Sequence, residues 1–231
     1  MWRGSGNLLY KFITVIIAIL LMGFLAGGCA WFSNASDDVE KSALELADEG
    51  IRAYQDGNYK SAIKAFTTLR DWYPFSKYVI LAELKIADSH YKLKAYEEAV
   101  AAYQEFESLH PRNETVPYVI YQIAMCWYKR VVSVDKDQTP TRKALEEFHR
   151  LMERFPDSRY SKKALDNIDQ CMESLAGHEE YVARYYLKTK HYKAALKRFE
   201  SIFANYPDTE AGKRALEQIS LCKERMGTSD A

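Results

Sequence analysis

The 231-residue sequence predicts an all-α array of paired helices, on three observations. Breakers are scarce, 10 Gly and 6 Pro, which favours helices over turn-rich sheet. One spacing recurs along the chain: an alanine, an aromatic residue four later and a proline twelve later. The 17 tyrosines are not spread evenly but fall at fixed places in that spacing.

The elements follow in chain order. In residues 1–28, Arg3 and Lys11 are the only charges, Phe12–Leu25 is an unbroken run of apolar and small residues, and Ala26-Gly27-Gly28 leads into Cys29. This is the charged, apolar and small-residue order of a secretory signal. A cysteine directly after the small residues is similar to a bacterial lipobox, with Ala26 where leucine is usual. Cys29 is then lipidated and becomes the mature N-terminus. The competing reading is an uncleaved anchor, for which the 17 residues Phe12–Gly28 are at the short limit for spanning. Ala30, rather than an aspartate, leans towards the outer membrane. Diacylglycerol and acyl lipid on Cys29 are the expected attachments, since several chains hold where one is marginal. No other cofactor is expected. Residues 29–40, ending in the acidic stretch Ser33–Glu40, read as a short lipidated tether. Removing 1–28 takes two positive charges and leaves 30 cations against 32 anions. A balance so near neutral argues against a general nucleic-acid binder.

The body is a repeat. The first unit has Gly50, Tyr54, Tyr59, Ala62, Phe66 and Pro74. The second has Ala87, Tyr91, Tyr96, Ala99, Tyr103 and Pro111, and the third Ala124, Tyr128, Ala144, Phe148 and Pro156. A later unit has Ala183, Leu187, Tyr192, Ala195, Phe199 and Pro207. Twelve residues separate the small residue of the first helix from the alanine of the second in three units. That is the spacing of a tetratricopeptide (TPR) repeat. The small residues let the paired helices approach, the aromatics plug the layer one turn on, and each proline ends its helix. Ser76, Ser158 and Thr209, after the prolines, are N-cap candidates. The third unit carries an insertion at 131–139, with Pro140 opening the next helix. Insertions in such arrays usually emerge as loops, often on a binding face. A further helix is expected at about 161–175, stopped near Gly177, and a capping helix at about 210–225. The expected fold is a TPR superhelix of about ten helices in five pairs. Its parts are 41–113 (N-terminal repeats), 114–156 (third repeat), 157–226 (C-terminal repeats) and a tail, 227–231.

In a TPR superhelix the first helix of each pair lines the concave face. Tyr54, Tyr91 and Tyr128 occupy one row there, Lys92 and Lys129 a neighbouring row, and Tyr121 a third. Tyrosine supplies area and a hydroxyl, and lysine beside it suits a carboxylate-bearing peptide. The competing use of each tyrosine is packing against the adjacent helix. Tyr59, Tyr96 and Tyr192 read as structural. No catalytic or metal-binding motif occurs: His90, His110, His149, His178 and His191 are scattered and no phosphate-binding glycine loop or nucleophile elbow is present. The run His178-Glu179-Glu180 reads as a solvated face. Cys126, Cys171 and Cys222 lack metal spacing and read as buried thiols, with one internal bridge left open. The chain is not expected to be an enzyme.

Lipobox, tether and repeats together resemble the BamD (ComL) family of outer-membrane β-barrel assembly lipoproteins, over about 41–226. The residues that carry the resemblance are Gly57–Ile63, Tyr73-Pro74-Phe75-Ser76 with Tyr78, the Asp135–Thr141 insertion, and His178–Tyr186 leading to Tyr206-Pro207-Asp208-Thr209. The insertion is shorter than in some members. The resemblance implies a scaffold on the periplasmic face of the outer membrane, held by its lipid. It implies that the C-terminal repeats bind a POTRA domain of a BamA-type barrel protein, with Arg198 as a contact. It implies that the N-terminal repeats receive C-terminal signals of unfolded outer-membrane proteins, with Lys60, Tyr73 and Phe75 at matching positions. Other assembly lipoproteins are implied partners; nucleic acid is not. The alternative is a Tol–Pal-associated TPR adaptor, which usually carries an N-terminal coiled coil for which Ser33–Glu40 leaves no room.

Overall fold

The computed structural model describes residues 41–229. The expected signal segment, Cys29 and the tether lie outside the described residues. Among these residues the chain forms helices α1 (Ala43–Gln55), α2 (Tyr59–Trp72), α3 (Val79–Lys92), α4 (Tyr96–Leu109), α5 (Val116–Tyr128), α6 (Thr139–Arg154), α7 (Arg159–Lys188), α8 (Tyr192–Asn205) and α9 (Glu210–Ser229), and no strand. Sequence neighbours pack on one another, as in a one-dimensional repeat array.

The repeat spacing produces each element. The residue before every repeat proline is forced out of the helical region. Tyr73, His110, Phe155 and Tyr206 accordingly have ψ values of 56, 54, 60 and 48°, and α2, α4, α6 and α8 all stop there. The short turns within pairs use a left-handed residue at one register position: Gly57 (φ 76°), Lys94 (φ 60°) and Lys190 (φ 62°). Ser158 caps α7 through Tyr160 N at 3.1 Å, and Thr209 Oγ1 accepts from Gly212 N at 3.0 Å before α9. Ser76 departs from expectation: α3 starts at Val79 with Tyr78 as N-cap, and Ser76 accepts from Tyr78 N at 3.3 Å.

Ala62, Ala99, Ala144 and Ala195 are fully buried, and so are Phe66, Tyr103, Phe148 and Phe199 four residues on. Each such aromatic stabilises by about 2–3 kcal/mol on burial. At Gly50 an added Cβ would lie 2.6 Å from the Phe66 ring, so only glycine admits this approach of α1 to α2. Cys126, Cys171 and Cys222 are buried free thiols. Burial pushes the Cys126 and Cys171 thiols up, to about 12 and about 11.

Two further expectations are corrected. The helix expected at 161–175 does not stop at Gly177. It continues to Lys188, so α7 has 30 residues and nine helices stand among the described residues instead of ten. No proline interrupts it, and its two halves serve two layers. Ala164 and Cys171 pack with α5 and α6, and Ala176 and Ala183 with α8 and α9. Gly177 is a contact device: an added Cβ would meet Val134 Cγ1 at 3.1 Å. The insertion is accordingly tied to α7. His178 Nδ1 lies 2.6 Å from Val134 O. Buried Gln138 donates to Ser133 O and Lys136 O and accepts from Thr141 and Ser174.

The second correction concerns His178-Glu179-Glu180, which is not a solvated face. Besides the His178 contact, Glu179 pairs with Arg198, and Glu180, 7% exposed, pairs with Arg184 at 2.8 Å and Arg214 at 2.5 Å. Three helical neighbours point to three elements, the insertion, α8 and α9, because the long helix is surrounded. Burial opposes ionisation of Glu180, yet the two arginines hold its carboxyl below the ordinary 4.5.

Gly212 tests the tightness of this packing. A Cβ there would lie 2.0 Å from Tyr206 O, a backbone atom that cannot swing aside. Gly212→Ala is expected to destabilise by about 3 kcal/mol in denaturant unfolding, and an unchanged midpoint would contradict the packing of α9 on the α8–α9 turn. Glu180→Gln is expected to flatten the acid limb of the stability profile. A carboxyl held below 4.5 contributes above that pH and its contribution is lost as pH falls through the lowered value. Identical acid limbs in wild type and variant would contradict the pairing.

Candidate peptide-binding groove

The proposed groove rows are built from the first helices of the repeats. Tyr54, at the end of α1, packs its body on the first core cluster and meets Tyr59 edge-on at 5.3 Å. Tyr91 repeats the arrangement with Tyr96 at 5.7 Å. Burial, followed by the fields of their neighbours, pushes both Tyr54 and Tyr91 hydroxyls up to about 12. Tyr121 and Tyr128 flank Phe148 at 6.0 and 6.4 Å, and the Tyr128 hydroxyl bonds Gln170 on α7. Each tyrosine is half-buried, with its body spent on packing and part of its ring open. Lys92 and Lys129 are exposed, and Lys129 Nζ lies 5.9 Å from the centre of the Tyr128 ring.

The structure adds a polar centre that the rows did not include. Asp88 of α3 is 4% exposed. Its Oδ1 accepts from Tyr103 on α4 and Tyr118 on α5, both at 2.7 Å, and its Oδ2 accepts from Lys85 Nζ at 2.8 Å. Gln122 donates to the Tyr118 hydroxyl at 3.1 Å. Lys85 Nζ also lies 4.5 Å over the Tyr54 ring. Burial first, then the Asp88 charge, pushes the Tyr103 and Tyr118 hydroxyls strongly up, so both remain donors. Tyr160, at the start of α7, stacks between Tyr118 and Tyr121 at 5.5 and 5.7 Å.

Lys85, Asp88, Tyr118 and Tyr160 line a cleft of about 460 Å³ with Leu84 and Arg159. Two cations, two carboxylates (Asp88, already paired with Lys85, and Glu114) and two aromatic rings make a mixed-charge surface suited to an extended peptide with an aromatic side chain.

Part of this centre was visible in the sequence. In register, Asp88 stands where Ile51, Met125 and Arg184 stand, and Tyr103 stands where the other repeats have Phe66, Phe148 and Phe199. A buried hydroxyl needs a partner, and the one repeat that has it also has the carboxylate. Tyr118 and Tyr160 carried no such signal, since they reach Asp88 and Tyr121 from other repeats.

The remaining predicted positions lie elsewhere. Lys60 is exposed on the first turn of α2, and Tyr73 packs on the first core cluster. Phe75, in the α2–α3 turn, is 99% exposed, and Trp72, at the end of α2, is 57% exposed. Arg198, on α8, donates to Glu179 Oε2 at 2.6 Å and keeps part of its side chain open.

Comparison with known proteins places these features in a family. Residues 39–231 match the family model YfiO, described as outer membrane lipoprotein. The outer membrane protein assembly factor BamD of Rickettsia prowazekii is 31% identical over 220 residues, 95% of this chain and 87% of that one. The BamD of Caulobacter vibrioides is 30% identical over 207 residues, 89% of this chain and 68% of that one. Among solved structures, a thermophilic TPR protein of Thermus thermophilus is 14% identical, with a TM-score of 0.42, over 80% of this chain and 99% of that one.

The Asp88 centre is testable by a double-mutant cycle in denaturant unfolding. Asp88→Ala strands two buried hydroxyls and is expected to cost about 2–4 kcal/mol, and Tyr103→Phe about 1 kcal/mol. The double variant is expected to lose less than the sum by about 1 kcal/mol or more, and strict additivity would contradict the shared bond.

Proposed function

The chain belongs to the YfiO (BamD) family of outer membrane lipoproteins, and on that premise we propose that it is an outer-membrane protein assembly factor: a lipid-anchored scaffold at the periplasmic face. Its C-terminal repeats bind a POTRA domain of a BamA-type barrel protein, and its groove receives C-terminal segments of unfolded barrel proteins. Other assembly lipoproteins complete the set of partners, and the lipid on Cys29 supplies the anchor. The observation that carries the reading is the half-buried tyrosine row beside Lys85, Lys92 and Lys129. Rings fixed by packing offer contact area at low entropy cost, and the exposed ammonium groups of Lys92 and Lys129 meet a peptide carboxylate. The work is recognition: the groups hold and orient a chain, and no bond is made or broken.

Two further surfaces support the division of labour. The exposed Trp72 and Phe75, with Lys60 nearby in sequence, offer an apolar and basic contact at the N-terminal end of the array. Arg198 is pre-oriented by Glu179, so a partner carboxylate gains a guanidinium already held in place.

Tyr54→Ala combined with Tyr91→Ala is expected to weaken binding of a barrel-protein C-terminal peptide roughly 10-fold or more in a fluorescence titration; equal binding would leave both residues as packing groups only. Arg198→Glu is expected to weaken POTRA-domain binding by a similar factor while the helical circular dichroism is kept, and unchanged affinity would remove Arg198 from the interface.

A further inference from the structure

Between Glu180 and Glu200 the chain carries six cations, Arg184, Lys188, Lys190, Lys193, Lys197 and Arg198, and no carboxylate. The two arginines are engaged, Arg184 with Glu180 and Arg198 with Glu179. The four lysines are all exposed, and none of them forms an ion pair among the described residues. They gather at the α7–α8 turn. Lys188 ends α7, Lys190 holds the left-handed turn position, and Lys193 and Lys197 follow on α8.

This clustering does not serve the fold. Lys193 in the first turn of α8 faces the positive end of the helix dipole, with no acidic residue there to offset it. Lys193 and Lys197 are like charges at i, i+4, which weakens a helix. Lys190, like Lys94 in the second repeat, occupies a backbone conformation that suits glycine, as at Gly57. A site that keeps charges against three local preferences is kept for something outside the chain.

Its shape and chemistry say what. Lys190, Lys193 and Lys197, with Tyr192 and Met226 of α9, line an open concavity of about 590 Å³ that has no carboxylate on its described wall. Tyr181 and Tyr185, 55 and 63% exposed, lie on the α7 stripe that runs into Lys188. We propose that this lysine cluster is a second membrane contact, a docking surface for the headgroups of anionic phospholipid. The free cations are all lysine, the flexible point charge that suits mobile phosphates, whereas the forked arginines that suit fixed carboxylates are already occupied. Exposed tyrosine beside lysine fits the boundary between headgroups and acyl chains. Membership of an outer membrane lipoprotein family puts such headgroups at hand. A basic cluster added to a lipid anchor orients the C-terminal repeats on the surface where the anchor holds the chain. This goes beyond the peptide and POTRA readings and does not depend on them.

The test is lysine acetylation, read by mass spectrometry, of the full chain in vesicles of phosphatidylcholine alone and of phosphatidylcholine with phosphatidylglycerol. Labelling of Lys188, Lys190, Lys193 and Lys197 is expected to fall several-fold on the anionic vesicles and recover at high salt, while Lys92 and Lys129 label equally on both. Lys193→Gln with Lys197→Gln is expected to weaken the contact by roughly fivefold per lysine and to deprotect Lys188 and Lys190. Equal labelling on both vesicles, or full protection persisting in the double variant, would overturn the proposal. Protection by polyglutamate but not by phosphatidylglycerol would overturn it too, in favour of an acidic polypeptide.

Discussion

The array rests on one contact made four times: two helices of a pair approaching across a small residue. Gly50, Ala87, Ala124 and Ala183 face this contact from one side, and Ala62, Ala99, Ala144 and Ala195 from the other, all of them buried. Small residues leave room for a close approach, and at Gly50 the Phe66 ring itself packs against the glycine. The aromatic one turn later closes the layer. Because a repeat array has few distant contacts, every layer must be closed by its own residues and its neighbours'. That is why the four units repeat the same positions while the surface between them varies freely.

The regular units were therefore legible in the sequence almost residue by residue. The pre-proline stops, the buried alanines and the plug aromatics all follow from short-range sterics. What was not legible is where one element serves two layers. Gly177 looks like a terminator, yet it is the place where the third-repeat insertion lands on α7 through Val134. A glycine's role depends on what approaches it, and the approaching residue belongs to a distant part of the sequence. The ion pairs of Glu179 and Glu180 were hidden for the same reason, since their partners sit on α8 and α9.

The groove shows the same division. Tyr54, Tyr91, Tyr121 and Tyr128 were found by register, and each proves to be half core and half surface. At these positions burial of the ring body fixes the exposed edge. Asp88 is the residue that ties the rows together, joining α3 to Tyr103 of α4 and Tyr118 of α5. Register alone marks Tyr103 as the one hydroxyl among the plug phenylalanines, in the repeat that also carries the Asp88 carboxylate. Only the fold brings in Lys85, Tyr118 and Tyr160 and turns the pair into the floor of a cleft.

On the proposed reading the scaffold offers four surfaces: an open aromatic turn at Phe75, a tyrosine and lysine groove along α1, α3 and α5, a pre-oriented arginine on α8, and a lysine cluster at the α7–α8 turn. The central claim, that this family member is an assembly scaffold for outer-membrane barrels, is most directly tested by isolating the tagged full chain from gently solubilised envelopes of its own cells and identifying what comes with it. The account predicts a barrel protein bearing POTRA domains in stable proportion to the chain; its consistent absence, with the chain recovered alone or with Tol–Pal components, would contradict it.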